Sequence, residues 1–193
     1  MMNIQDVFTN FLAIDTITIN NIDTIEKFCY DKIRLEPSDP GQSDMSQLEL
    51  DTLFVDTKTQ IEDRLEIIRQ EYNFKKSVKF KIGPTWINLN QNNNITRPHL
   101  HSNSLLSGIL YIKANNSGPI VFMHPVATQQ YVMDTEIIDD YNKFTSTDMS
   151  VTPSPGKLVI FPSWLVHYVQ NNLDNSDRIS IAFNVNVEKL APF

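Results

Sequence analysis

The sequence predicts a mainly β protein of the antiparallel sandwich or jelly-roll type, with helices packed on its larger sheet. From Val78 onward, short runs of alternating apolar and polar residues are separated by turn-rich connections. Before Val78, apolar residues instead recur at helical spacing. Many short strands with little helix are typical of jelly rolls. We therefore expect one structural domain, with an N-terminal helical extension over 1–77 and a β core over 78–193.

Composition limits the classes of function. The chain has 193 residues, enough for a real core, and a net charge of −7, which makes a duplex nucleic acid partner unlikely. A lone cysteine, Cys29, cannot form an internal disulfide and is expected to be a small buried residue. No apolar run reaches about 18 residues and no signal peptide opens the chain, so we expect a cytoplasmic protein with no membrane partner. The sequence is compatible with a homodimer.

Two helices are predicted in the N-terminal part. The first begins at Asp23, where Glu26 three residues later completes a capping box. A loop over 36–44 separates it from a longer helix over 46–72. The longer helix carries one apolar stripe, which we expect to pack on the sheet face that bears Ile181 and Phe183; the stripe consists of Ile61, Leu65, Ile68 and Tyr72.

The β core is predicted to contain at least six strands, with a long insert over 124–150. These strands lie at 86–90, 104–113, 119–123, 157–161, 165–170 and 179–187.

The last strand is the most informative. One face is apolar and suits the covering helices, so the other face must point into the sandwich. That second face carries Arg178, Ser180, Ala182 and Asn184. A buried arginine is costly unless it meets an anion, and a ligand carboxylate would serve.

The four histidines of the chain lie at 99, 101, 124 and 167. His99 and His101 stand two residues apart just before a strand, a spacing that can direct two imidazoles at one metal ion. Two solvated loop histidines would give the same pattern. His167 follows 66 residues after His101 and lies at a strand start. His124 is expected at the surface or at the rim of a pocket.

Three segments resemble the non-haem iron, 2-oxoglutarate-dependent oxygenases, and most closely a family known mainly from bacterial and phage genomes. The first runs from Arg97-Pro98-His99-Leu100-His101 into the strand that ends at Ile112. The second runs from Gly156 to His167, and the third is Arg178-Ile179-Ser180-Ile181-Ala182-Phe183-Asn184. Together they span roughly residues 86–187. The resemblance implies a double-stranded β-helix with iron near one mouth of the barrel.

The resemblance also implies roles for individual residues. Fe(II) would be bound by His99, His101 and His167, with 2-oxoglutarate and O₂ in the remaining positions. Arg178 would pair with the distal carboxylate of 2-oxoglutarate, assisted by Ser180 and more weakly by Tyr111. The expected reaction is hydroxylation of a C–H bond with release of succinate and CO₂. Trp86 and Asn184 face the pocket and are candidates for contact with an unidentified small-molecule or peptide substrate, whereas Trp164 is expected in the core.

One departure keeps two alternatives open. Better-known members of this superfamily use His-x-Asp or His-x-Glu, whereas this chain has His99-Leu100-His101. Three imidazoles suit zinc as well as iron. The first alternative is a three-histidine dioxygenase or cupin-like enzyme that does not use 2-oxoglutarate. The second is a non-catalytic metal-binding jelly-roll module, since this fold hosts many functions.

Overall fold

The computed structural model describes residues 10–115, 117–126, 138–173 and 175–189. Within these ranges the chain forms three helices and ten strands. They are β1 (Ala13–Thr16), α1 (Ile22–Leu35), β2 (Gln42–Asp44), α2 (Gln47–Thr52), α3 (Val55–Glu71), β3 (Val78–Asn90), β4 (Thr96–His99), β5 (Leu106–Lys113), β6 (Ile120–Met123), β7 (Asp148–Val151), β8 (Lys157–Pro162), β9 (His167–Val169) and β10 (Arg178–Lys189).

The strands form two antiparallel sheets. The larger has the order β1-β8-β5-β10-β3-β2, and the smaller has the order β4-β9-β6-β7. Residues of both sheets share one buried cluster that includes Tyr111 and Phe161 from the larger sheet and Phe122 and Val169 from the smaller. The sheets therefore pack face to face, and the predicted jelly-roll class is confirmed.

The central strand β10 separates two apolar layers by alternation of its side chains. Ile179, Ile181 and Phe183 belong to a core that also contains residues of all three helices. Arg178 and Ser180 lie on the opposite face and line a cavity between the sheets. The prediction of an inward-facing arginine is therefore confirmed.

The helical covering layer follows the prediction along most of its stripe. Ile61, Leu65 and Ile68 of α3 are buried in the same core as Ile181 and Phe183. Tyr72 differs, because it lies just beyond the end of α3 and is 47% exposed. Its ring packs on Phe11 instead, with 4.7 Å between the ring centroids.

Two details of the predicted helices are wrong. α1 begins one residue earlier than predicted, after Asn21 in a left-handed conformation with φ 55°, and has no side-chain cap. A capping box does occur, but at Ser46 and Glu49, where it starts α2. The predicted long helix is broken between α2 and α3, which lets the Phe54 ring turn inward to 2% exposure.

Four of the described strands were not predicted, namely β1, β2, β4 and β7. β2 lies in the segment that its composition predicts as loop, and β7 lies within the predicted insert over 124–150. Residues 127–137 of that insert are outside the described residues. β1 and β2 both come from the N-terminal part, yet both pair with strands of the larger sheet.

Two expectations from composition can be compared with the fold. Cys29 is fully buried, as predicted, and burial, with the nearby Glu26 charge as a smaller cause, raises the pKa of its thiol to about 12. In the part of the chain that the structure covers, no helix is long and apolar enough to cross a membrane.

Candidate metal and cosubstrate site

Three histidines converge at one end of the cavity between the sheets. His99 ends β4 and His167 begins β9, and the two residues are direct partners in the antiparallel ladder. His101 follows in the turn after β4. One ring nitrogen from each histidine lies within 4.8 Å of the other two, and the Nε2 atoms of His101 and His167 are 3.3 Å apart. This arrangement could hold a single metal ion.

Backbone carbonyls orient two of these imidazole rings. The Nδ1 atoms of His99 and His167 lie 2.8 Å and 2.9 Å from the carbonyl oxygens of Arg97 and Leu165. A carbonyl can only accept, so each Nδ1 carries the proton and each Nε2 keeps its lone pair. His101 is held by its backbone, whose N–H donates to the Ser163 carbonyl at 2.9 Å. Such outer contacts are typical of metal-binding histidines.

The surroundings favour the neutral form of two of the rings. Burial, with the neighbouring His99 as a smaller cause, lowers the pKa of His101 to about 4. Burial is also the largest cause that lowers the pKa of His167 to about 4. Neutral imidazole is the form that binds metals. Near neutral pH, these two rings are therefore ready to donate a lone pair.

A buried cation marks a second part of the cavity. Arg178 is 1% exposed, and its Nη1 donates to the Gly118 carbonyl at 2.7 Å. Its Nη2 and the Tyr111 hydroxyl are buried without a hydrogen-bond partner among the described residues. Burial lowers the pKa of Arg178 and raises that of Tyr111. Two unpaired donors beside a buried charge fit a carboxylate ligand.

One cavity of about 230 Å³ connects the histidines with the arginine. Ser180 lines it beside Arg178, and it stands opposite Tyr111 across the β10–β5 ladder. Trp86 also lines it, with its ring centroid 5.6 Å from that of His101. The structure therefore brings His99, His101, His167, Arg178, Ser180 and Trp86 to one cavity. Tyr111 is not among the lining residues, but it stands next to Ser180 in the β10–β5 ladder.

Other predicted residues lie elsewhere. Asn184 is not among the residues that line the cavity, and its side-chain oxygen accepts a hydrogen bond from Ser107 at 2.8 Å. His124 is half-buried, and its Nδ1 accepts from the Val126 N–H at 3.1 Å. The prediction that Trp164 belongs to the core is wrong, because it is 51% exposed. In the tight turn between β8 and β9, Ser163 and Leu165 take the buried positions on either side of this tryptophan.

Sequence reasoning missed four polar residues of the cavity wall. These are Gln42 of β2, Asn88 and Asn90 of β3, and Thr96 of β4. The alternation of β3 did place Asn88 and Asn90 on the Trp86 face, which was a usable signal. Gln42 and Thr96 lie in strands of three and four residues, which are too short to show a period.

Comparison with known proteins identifies the class. A family described as "Putative 2OG-Fe(II) oxygenase" matches residues 84–184, which is more than half of the chain. The chain therefore belongs to this family, and it is a 2-oxoglutarate-dependent iron oxygenase. Fe(II), 2-oxoglutarate and O₂ are the cofactor set of the class, so the predicted family, enzyme class and cofactors are confirmed. No curated protein matches the chain.

Solved structures show the same fold at low sequence identity. A prolyl-4-hydroxylase from Pseudomonas putida is 16% identical, with TM-score 0.58 over 96% of this chain and 90% of that one. The epimerase SnoN from nogalamycin biosynthesis is 11% identical, with TM-score 0.60 over 94% and 79%. HygX from Streptomyces hygroscopicus, with nickel and 2-oxoglutarate bound, is 11% identical, with TM-score 0.58 over 92% and 83%. The fold is that of a double-stranded β-helix oxygenase.

Proposed function

We propose that this protein hydroxylates a C–H bond of its substrate and converts 2-oxoglutarate and O₂ to succinate and CO₂. One observation carries the proposal. A single cavity joins three convergent histidine nitrogens to a buried arginine that keeps an unpaired donor. A metal ion and a dicarboxylate would together complete both ends of that cavity.

The metal end would be formed by the Nε2 atoms of His99, His101 and His167. Three ligands on one side of an iron ion leave further positions for other molecules. Bound iron and 2-oxoglutarate would supply the oxidising chemistry of the reaction. The chain itself would hold the three histidines in place through the Arg97, Leu165 and Ser163 carbonyls.

The other end would select the cosubstrate. Arg178 would pair through Nη2 with the distal carboxylate of 2-oxoglutarate, and its Nη1 would stay fixed on Gly118. Tyr111 and Ser180 would add hydrogen bonds to the same carboxylate. Because all three side chains are at most 2% exposed, they need little reorganisation and exclude water from the charge pair.

The substrate would enter beside Trp86, whose ring lies next to His101. A small molecule or a peptide segment is the proposed partner. The hydroxylase and the epimerase that share this fold differ in the reaction their names state. The fold therefore does not determine the substrate, which would depend on the residues of the cavity wall. A substrate contact by Asn184 would require its bond with Ser107 to open.

A second candidate function follows from the histidine set itself. The triad contains no carboxylate, and its three nitrogen donors also suit zinc or a three-histidine dioxygenase that needs no 2-oxoglutarate. In that case Arg178 would bind a carboxylate of the substrate. Arg178 and the unpaired Tyr111 hydroxyl could bind the distal carboxylate of 2-oxoglutarate or a carboxylate of the substrate equally well. A measurement of 2-oxoglutarate binding therefore distinguishes the two functions.

The test is calorimetry of 2-oxoglutarate binding to the anaerobic Fe(II) protein, followed by an assay of succinate release in air. Pyruvate is the matched control ligand, since it keeps the 2-oxo acid but lacks the distal carboxylate. We expect 2-oxoglutarate to bind about a hundredfold more tightly than pyruvate, the value of one buried charge-assisted pair. Equal binding of the two acids, or succinate release that does not require iron, would contradict the proposal.

A further inference from the structure

Gln42 and Asn88 form an amide pair in the wall of the cavity. They are direct partners in the β2–β3 ladder, and Gln42 Nε2 donates to Asn88 Oδ1 at 2.9 Å. Both residues line the cavity, and both are half-buried. The pair therefore faces the space that a substrate would occupy.

The hydrogen-bonding capacity of this pair does not depend on which way either amide is turned. Each amide offers one NH₂ group and one carbonyl oxygen. When one NH₂ donates to the other carbonyl, the acceptor residue keeps its NH₂ group and the donor residue keeps its carbonyl. One donor and one acceptor thus remain side by side, without formal charge.

A polar row connects the pair with the cosubstrate end. Across the larger sheet, Gln42 stands opposite Asn88, Asn88 opposite Ser180, and Ser180 opposite Tyr111. Neighbouring strands are about 4.8 Å apart, so Gln42 lies about 10 Å from Ser180 along the row. Asn88 is two residues from Trp86 on the same face of β3, about 7 Å along the strand. A group on the pair would therefore lie within about 10 Å of both Trp86, which stands beside the metal end, and Ser180 at the cosubstrate end.

The cavity wall beside the Gln42–Asn88 pair is uncharged. Among the residues of the described chain that line the cavity, none is a carboxylate and Arg178 is the one with a permanent charge. The proposed function assigns that arginine to 2-oxoglutarate. The remaining wall offers uncharged amides beside Trp86, which suits a neutral polar group and disfavours an ion.

We propose that Gln42 and Asn88 recognise a carboxamide group of the substrate, whose N–H and C=O lie on one edge, through one donor and one acceptor hydrogen bond. This inference rests on the proposed function of the same cavity. It goes beyond the family match, because Gln42 lies outside residues 84–184. The N-terminal part of this chain would thus supply a specificity element to the β core.

A purely structural role makes a different prediction. In that case the pair only holds the short strand β2 in register, as cross-strand polar pairs do. Its removal would then lower the melting temperature and leave ligand selectivity unchanged.

The experiment uses the full chain loaded with Ni(II) and 2-oxoglutarate, in which no turnover occurs. Two probes differ in one group: N-acetylglycinamide carries a terminal amide, and N-acetylglycine carries a carboxylate. Ligand-observed NMR titration measures the dissociation constant of each. We expect the amide to bind at least about tenfold more tightly than the acid, since the N-acetyl amide is common to both probes and the carboxylate has no donor and brings an uncompensated charge.

Three variants separate recognition from folding. Gln42→Leu and Asn88→Leu should each weaken amide binding about tenfold, because one hydrogen bond is lost and its partner is left unpaired. The exchange Gln42→Asn with Asn88→Gln restores an amide pair and should recover part of that loss. Gln47→Leu, on the exposed face of α2, is the matched control and should change nothing.

Each outcome decides a specific point. Amide preference that survives in both leucine variants overturns the recognition role, even if their melting temperatures fall. Equal binding of amide and acid by the parent protein also overturns it. 2-Oxoglutarate binding is measured on the same samples, so intact cosubstrate binding assigns the failure to the amide pair alone. Absence of cosubstrate binding in the parent overturns the proposed function, and this inference with it.

Discussion

The two ends of the cavity are built from opposite kinds of groups. The metal end consists of three imidazoles, two of which have a pKa held near 4 and so stay neutral. The other end is one guanidinium, which stays charged although it is buried. At the metal end, backbone carbonyls already satisfy the ring protons of His99 and His167. At the arginine end, two donors lack a partner among the described residues.

This difference shows how one cavity can require two ligands of opposite charge. Neutral lone pairs that converge within 4.8 Å can all be directed at one cation placed between them. A buried cation with a spare N–H instead requires an anion. A substitution at one end should therefore abolish or weaken binding of the ligand at that end and leave the other ligand bound. The loss of affinity should be largest for a metal ligand, smaller for the charged arginine and smallest for a neutral hydroxyl.

The largest effect is expected at the metal end. His167→Ala removes a buried ligand from a set of three, and we expect the protein to lose stoichiometric Fe(II) altogether. Loss of an outer contact alone typically weakens metal binding 10–100-fold, so loss of a direct ligand should exceed that range. Metal content after anaerobic loading and desalting provides the measurement.

His124→Ala is the matched control for this change. His124 is half-buried where His167 is buried, and it is likewise hydrogen-bonded through Nδ1, but it does not belong to the convergent group. Its variant should keep one iron per chain. Full iron content in His167→Ala would show that the metal end is not formed by these histidines.

The next largest effect is expected at the arginine end. Arg178→Ala should keep the iron and weaken 2-oxoglutarate binding about a hundredfold, because a charge-assisted contact of about 3 kcal/mol is lost. Lysine at this position should restore part of the affinity, since it returns the charge without the planar fork. Calorimetry on the anaerobic iron form measures both. If the alanine variant binds 2-oxoglutarate as tightly as the parent, then the anion at this end is a different molecule.

Much of this contrast could be read from the sequence because it depends on local alternation. The period of two in β10 places Arg178 and Ser180 opposite Ile179, and a covering helix then decides which face is inside. These features need only a few neighbouring residues, so the fold class and the inward-facing arginine were predictable. His99 and His101 were singled out by their spacing before a strand, and His167 by its place at a strand start. A common site for them was implied by the family resemblance, because the 66 residues between His101 and His167 show no local period.

Other features depend on contacts between distant segments. Gln42 reaches the cavity because three residues of a proline-containing loop pair with β3, 46 positions later. Trp164 is exposed between Ser163 and Leu165, which take the buried positions of its turn. Asn184 lies on the inward-facing side of β10, yet its bond with Ser107 of β5 holds it away from the cavity wall. The periodicity of neighbouring residues does not determine which distant residue a side chain contacts.

Lowering the pH should affect the metal end but not the arginine end, since His101 and His167 gain protons between about pH 6.5 and 4 whereas an arginine stays protonated. His101 and His167 have pKa values of about 4 in the folded protein, below the ordinary value of 6.5. The unfolded chain therefore takes up more protons between these values. Stability of the metal-free protein should be full above about pH 6.5 and fall as the pH approaches 4. We expect a loss on the order of 2 kcal/mol, mainly from His167, because His101 is partly exposed.

Denaturant unfolding of the metal-free protein at several pH values checks this expectation. The variant His167→Gln removes the main titrating group but keeps a polar side chain, so its pH dependence should be visibly flatter. Iron should also bind less tightly as the pH falls, because protons compete for the same nitrogens. A parent protein whose unfolding free energy is constant from pH 6.5 to 4 would contradict the burial argument.

The smallest effect is expected from Tyr111, which belongs to the arginine end but carries no charge. Tyr111→Phe removes one buried hydroxyl that has no partner in the described structure, and it leaves the ring packing intact. In the absence of ligand this change should be neutral or slightly stabilising, since an unsatisfied buried group disappears. With 2-oxoglutarate present, one neutral hydrogen bond of about 1 kcal/mol is lost, which corresponds to about fivefold weaker binding. Tyr168→Phe, on the smaller sheet, is the control for the substitution itself. A Tyr111 variant that gains stability but binds 2-oxoglutarate unchanged would leave Arg178 and Ser180 as the whole anion site, while a loss as large as that of Arg178→Ala would mean that the hydroxyl positions the guanidinium.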